Sequence, residues 1–193
     1  MECETNVIYK IFIVGKCRGD QPLNNTLDHF EKNKYLPEYL SYKKIDPNCK
    51  IGICKTNEFR LKMIDKINDT ITGVEKYHKY LYVGLKVISN VNDKIIYRSK
   101  FYYIHNFNEY GQISVSLSQD GEPLKNSKGE VKYYNYRTKD RSGEVITFEP
   151  AYILTTYRYQ GSKIDTKYNI YEVNKMDFNE FNTALGRATK LSD

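Results

Sequence analysis

The sequence predicts an α/β fold with a parallel sheet, interrupted by a small antiparallel β insertion. Three observations carry this reading. Residues 1–79 pair strand-like apolar runs with helix-like stripes, the grammar of a parallel sheet. Residues 80–148 change to short alternating runs separated by turn residues. From residue 149 strand and helix patterns return, so 1–79 and 149–193 read as two parts of one domain around an inserted one.

Val7 to Val14 is a β-branched and aromatic run that reads as a buried strand. Residues 24–34 suit a helix, starting near Asn25 or Thr26, with Leu27 and Phe30 on one face. Lys50 to Cys54 is a second strand, and Thr56 is placed to cap a helix with Leu61, Ile64 and Ile67 on one stripe. In the inserted part the strand candidates are Tyr82 to Ile88, Lys100 to Ile104, Gln112 to Leu117, Val131 to Tyr136 and Val145 to Phe148. Turn signals such as Asn92-Asp93, Asp120-Gly121, Lys128-Gly129 and Ser142-Gly143 separate them, which suggests a small barrel or meander. Beyond Pro150, Tyr152 to Thr155 and Tyr168 to Val173 read as strands. Residues 177–188 read as a helix capped by Asp177, with Phe178, Phe181, Ala184 and Leu185 inward.

The 193 residues are 40% hydrophobic and 28% charged, enough for a packed core and a charged surface. No apolar run approaches the roughly 18 residues of a membrane span. The opening Met1-Glu2-Cys3-Glu4-Thr5 lacks the basic-then-apolar pattern of a signal peptide. No membrane partner is therefore expected, and an intracellular location is: cytoplasm, viral replication site or host nucleus. The abundance of Asn, Lys and Ile suggests an AT-rich genome and, together with the style of the sequence motifs, a large DNA virus or phage. A net charge of +6 suits polyanion partners but is shared by many enzymes. Cys3, Cys17, Cys49 and Cys54 show no paired spacing, and His29, His78 and His105 are scattered, so free thiols are expected and a metal site is not.

The stretch Ala151-Tyr152-Ile153-Leu154-Thr155-Thr156-Tyr157-Arg158-Tyr159-Gln160-Gly161-Ser162-Lys163-Ile164-Asp165 resembles motif V of superfamily 1 helicases. The RecD-like branch has a pattern close to Ala-Tyr-Ala-x-Thr-x-His-Lys-x-Gln-Gly-x-x-x-Asp. Further on, Phe181-Asn182-Thr183-Ala184-Leu185-Gly186-Arg187-Ala188 resembles motif VI. The order and spacing of the two motifs agree with that family. Ile53 to Arg60, with its Thr56-Asn57, resembles the segment that opens the second RecA-like domain, and Cys17-Arg18-Gly19-Asp20 is similar to motif IV. Leu81 to Ile88, followed by Asn92, resembles the start of the SH3-like insertion of RecD-type helicases. The departures are Tyr157 for His, Arg158 for Lys, Tyr159 for Ser and Gly186 for Ser.

This resemblance implies a RecA-like domain 2A (1–79 and 149–193) with an SH3-like insertion 2B (80–148), working at an ATP cleft shared with an N-terminal RecA-like helicase domain. Arg187 would neutralise charge on the transferred phosphoryl group, with Arg18 as second candidate. Taken alone, Arg187 reads better as a solvent-facing helix residue, and Arg18 reads equally as an ion pair with Asp20. Gln160 and Gly161 would approach the nucleotide, the glycine because a Cβ would obstruct. The resemblance puts single-stranded DNA at Thr155, Thr156, Tyr157, Arg158 and Tyr159: hydroxyls and guanidinium on phosphates, tyrosines on bases. Thr56, Asn57 and Arg60 are further DNA candidates with a competing role in starting a helix. Lys-Tyr alternation at 77–82 and 132–137 suits either nucleic acid or a half-buried strand.

The sequence contains no Gly-x-x-x-x-Gly-Lys-[Ser/Thr]; at Val14-Gly15-Lys16-Cys17, Lys10 stands at the first glycine position and Cys17 at the hydroxyl position. No apolar strand ends in Asp-Glu. ATP and Mg2+ are accordingly expected only in a full-length enzyme, with the metal held by the other domain. The chain reads as the C-terminal segment of a longer helicase, separated by gene fission or by design, and inactive as an ATPase alone. The competing reading is a non-catalytic nucleic-acid or protein-binding module that keeps the helicase fold.

Overall fold

The computed structural model describes residues 51–140, 143–159, 164 and 168–185. The expected strand 7–14 and helix 24–34 lie outside them. In chain order the elements are β1 (Gly52–Cys54), α1 (Asn57–Thr70), β2 (Lys86–Ser89), β3 (Phe101–Phe107), β4 (Ile113–Ser116), β5 (Arg137–Asp140), β6 (Gly143–Ile146), β7 (Phe148–Pro150), β8 (Ile153–Thr155), β9 (Asn169–Ile170), a 3-10 turn (Val173–Lys175) and α2 (Phe178–Leu185). Two compact units result. One contains the described residues up to Asp65 and from Ile153 onward; the other is Lys66–Tyr152.

The first unit is the α/β one. Its sheet runs β8-β1-β9, and β1 pairs in parallel on both sides, Gly52 with Ile153 and Asn169, Cys54 with Thr155. A central parallel strand is covered on both faces, so it reads as a continuous apolar run, and all three residues of β1 are buried. At Gly52 a side chain has no room: a Cβ there would press on the Tyr171 ring and lie 2.8 Å from Ile153 Cδ1. Thr56 caps α1 as its sequence predicts, its Oγ1 accepting the Phe59 N–H at 3.2 Å. The stripe is shifted, however. Ile64 and Ile67 are buried, but Leu61 is 50% exposed and Arg60 takes the inward position. Positions 60, 64 and 67 keep the helical spacing, so burial follows the face and not the hydrophobicity of one residue.

α2 starts on the predicted cap. Asp177 Oδ1 accepts the Glu180 N–H at 2.8 Å, and Glu180 Oε2 accepts the Asp177 N–H at 2.9 Å. This is a reciprocal capping box, and Phe181 and Ala184 are fully buried behind it. The strand expected over Tyr168 to Val173 is shorter than its apolar pattern, because Glu172 turns left-handed (φ 56°) and starts the 3-10 turn.

The second unit is antiparallel. Its main sheet runs β4-β3-β2-β7, with an irregularity between Ile104 and Asn106, and β5–β6 form a separate hairpin. Tyr102 and Tyr134 meet Phe148 edge-on, with ring centroids 6.2 and 5.6 Å apart. Asn and Asp side chains close the turns: Asn108 Oδ1 accepts the N–H of Tyr110 and of Gln112, and Asp93 Oδ1 those of Ile95 and Ile96.

Two expected strands are corrected here. Tyr82 to Ile88 is strand only from Lys86, since Val83 and Gly84 form a turn with Gly84 at φ 84°. Val131 to Tyr136 is no strand but two single bridges, Lys125 to Val131 and Ile113 to Tyr134. Of this stretch only Tyr134 is buried, so its alternating sequence pattern corresponds to no ladder. Among the described residues, no helix is long and apolar enough to cross a membrane.

Candidate functional site

Parallel strands all point their carboxyl ends the same way, and in open α/β sheets ligands bind beyond those ends. In the α/β unit that edge collects the segments after β1 and β8. Cys54 and Thr155 are register partners, and the Thr156 N–H donates to the Cys54 carbonyl at 3.1 Å, carrying the pairing one residue past the strand. The structure thus brings Thr56, Asn57 and Arg60 to the same edge as Thr155 to Tyr159, though about a hundred residues separate them in the sequence.

Past β8 the chain turns at once, with the Arg158 and Tyr159 N–H groups both donating to the Thr155 carbonyl at 2.9 and 3.3 Å. The turn sorts the candidates by exposure. Tyr157 is 65% exposed and Tyr159 only 3%. Thr155 and Thr156 are buried, and the Thr156 hydroxyl has no hydrogen-bond partner. Arg158 is half-buried. Tyr157 therefore presents its ring to solvent and Tyr159 does not.

Across the edge, Thr56 is held by Glu172. One carboxylate oxygen accepts the Thr56 N–H at 2.9 Å, and both lie within 3.0 Å of its Oγ1. With the Phe59 N–H donating to that same Oγ1, the threonine hydroxyl gives and receives within the protein. Arg60 is buried and its Nε donates to Asn57 Oδ1 at 2.8 Å, leaving the Asn57 amide NH2 as the donor on this exposed residue.

Two carboxylates missed by sequence reasoning organise this edge. Glu172 is paired with Lys175 at 3.0 Å. Burial alone would raise its pKa, but the Thr56 N–H, Lys175 and the Thr56 hydroxyl together hold it below the usual carboxylate value. Glu180 accepts from Lys55 at 2.7 Å while serving in the α2 capping box, and that bond raises the Lys55 pKa. The Asp177-x-x-Glu180 spacing was an available signal for Glu180. Nothing local announced Glu172, which lies 116 positions from its partner. Cys54 between them is inert: burial, with Glu172 adding to it and Arg60 opposing, pushes its thiol up to about 12.

Arg187, Arg18, Gln160 and Gly161 lie outside the described residues. Among the described residues, no group of three or more His, Cys, Asp or Glu could hold a metal ion.

No protein-family profile matches the sequence, and no curated protein does. Solved structures do match by fold. The chain is similar to Bacteroides Pif1 bound to ssDNA (18% identity, TM-score 0.54, 89% of this chain and 47% of that one). It is also similar to Bacteroides Pif1 helicase in complex with ADP-AlF3 and ssDNA (16%, TM-score 0.53, 89% and 48%). The Pif1 helicase from Candida albicans is a third (12%, TM-score 0.52, 90% and 52%). The chain spans about half the length of these helicases. Its mixed α/β architecture, a parallel sheet beside separate antiparallel sheets, is the RecA-like helicase fold with a small β insertion.

Proposed function

We propose that this chain is the C-terminal part of an ATP-dependent superfamily 1 DNA helicase of RecD-like type, gripping single-stranded DNA at the carboxyl edge of its parallel sheet. The observation that carries this is the convergence of Thr56–Arg60 and Thr155–Arg158 on one edge, with Tyr157 exposed beside them. Motif V supplied one of these segments by resemblance and the Thr-Asn turn the other. That Bacteroides Pif1 of similar fold is bound to ssDNA supports the choice of ligand.

In this reading Tyr157 stacks on a base, and Arg158 and the Asn57 amide donate to phosphate oxygens. Glu172 acts one step back: by holding the Thr56 N–H and hydroxyl, it fixes the turn that presents Asn57. Residues 1–79 and 149–193 form domain 2A, and 80–148 form the SH3-like 2B. ATP binds between 2A and an N-terminal RecA-like domain in the intracellular full-length enzyme, with Mg2+ held by that other domain. A similar helicase is solved with ADP-AlF3. Bound ATP supplies a transferable phosphoryl group. Of this chain's residues, Gln160 and Gly161 would lie against it, and Arg187, with Arg18 as the alternative, would place positive charge beside it. The chain alone is not an ATPase.

The test mixes this chain with the matching N-terminal RecA-like domain and follows ATP hydrolysis with and without oligothymidylate. DNA-stimulated hydrolysis that Arg187→Ala abolishes is expected. Tyr157→Ala should weaken oligothymidylate binding about tenfold, since stacking on one base is worth about 1–3 kcal/mol. Association of the two domains without hydrolysis, and DNA binding indifferent to both substitutions, would instead favour the non-catalytic binding module.

A further inference from the structure

We propose that a polar groove lying wholly inside the β-rich unit is a second ligand site, built for a phosphate group carried on a planar base. It does not depend on the sheet-edge reading. The groove has a volume of about 810 Å3, within the range of small-molecule clefts. Among the described residues, Arg98, Lys132 and Lys139 line it with one carboxylate, Asp93, an excess of two positive charges.

One oxygen of that carboxylate is held by the backbone: Asp93 Oδ1 accepts the N–H of Ile95 at 2.6 Å and of Ile96 at 2.8 Å. Arg98 is set in place by its own backbone N–H on Asn92 Oδ1 at 2.6 Å and its Nε on the Asn90 carbonyl at 2.7 Å. A cation so anchored is preorganised for an anion. Lys132 lies 5.6 Å from the centre of the Tyr134 ring.

The wall of the groove also carries a buried tyrosine. Tyr134 is 8% exposed, and its hydroxyl lies next to Asp93; burial and that carboxylate push its pKa upward. Tyr133 adds a second aromatic ring to the lining, which a planar base can use. These tyrosines and Lys132 belong to the Lys-Tyr stretch that reads as a candidate strand in sequence. Because the segment forms only single bridges, Lys132 and Tyr133 line a cavity instead of a ladder.

The phosphate can come from a free nucleotide or from a nucleic-acid strand, and titrations with fluorescent N-methylanthraniloyl-ADP and with 5′-phosphorylated oligothymidylate separate the two. Saturable binding of the labelled ADP is expected, displaced by unlabelled ADP and weakened at least tenfold by Lys132→Gln with Lys139→Gln. The paired Lys→Arg variants should bind normally, as should the charge-matched control Lys66→Gln with Lys128→Gln. If only the oligonucleotide shows this dependence, the site stands and the strand is its source. Chemical shifts of residues 132–139 should move on addition of ADP or oligonucleotide to the unmodified chain, whatever the variants do to folding. Absence of those shifts with both ligands, or binding that ignores Lys132 and Lys139, overturns the proposal.

Discussion

The two units use their polar groups differently. In the α/β unit three strands of two or three residues offer few ladder bonds, and side chains bind the rest. Glu172 joins the end of β9 to the start of α1, and Glu180 joins the β1–α1 turn to α2. In the β-rich unit strands of up to seven residues pair their own backbone groups, Asn and Asp close the turns, and lysines lie over rings, Lys86 4.8 Å from Phe101 and Lys100 5.3 Å from Tyr97. The difference teaches where chemistry can gather. Parallel strands end together and leave polar groups to be organised at one edge, whereas an antiparallel ladder uses its own and leaves chemistry to the loops around it.

The largest expected effect tests the aromatic core. Phe148→Ala should cost about 3–5 kcal/mol, read in urea unfolding. Hydrogen exchange should speed up more in Lys66–Tyr152 than in Ile153–Ala184; equal acceleration in both would break the comparison. Gly52→Ala addresses the other side at about 1–3 kcal/mol, because the added methyl meets the Tyr171 ring and the Asn169 carbonyl oxygen, 3.1 Å away, with backbone on one side unable to yield. A neutral result would mean that the three-stranded sheet adapts more readily than its packing suggests.

Glu172→Gln should cost least, about 1 kcal/mol, since an amide oxygen can still accept but the charge is gone. Its pH dependence sharpens the contrast. Glu172 has a folded pKa below the ordinary value of 4.5. Its contribution is complete above that value and is lost as pH falls through the depressed one. Thermal unfolding of the wild type should therefore weaken below about pH 4.5 more steeply than that of the variant. Parallel curves would remove Glu172 from the account of the edge.

Among its described residues, the α/β unit was legible where its signals are local. Thr56 and Asp177 cap their helices by accepting N–H groups three residues on, and Ile53, Ile64 and Phe181 are buried as their patterns require. The β-rich unit was legible in kind but not in detail. Its turns follow Asn, Asp and Gly, yet Val131 to Tyr136 has a strand-like sequence and forms only single bridges. The sheet edge was half legible, since motif V pointed to Thr155 through Tyr159 without distinguishing an exposed Tyr157 from a buried Tyr159. A turn that sends consecutive side chains to opposite environments is fixed by where its carbonyls are accepted, and Thr155 accepts two N–H groups at once.

By itself, then, the sequence determined the α/β class, the inserted β segment and the helix starts, all of which rest on neighbours a few positions apart. Only the tertiary structure decided that Arg60 turns inward where Leu61 does not, that Glu172 reaches Thr56, and that Lys132 and Tyr133 line a groove with Arg98. Those outcomes depend on contacts between segments distant in the chain, and no local periodicity encodes which distant partner satisfies a buried charge or an unpaired hydroxyl.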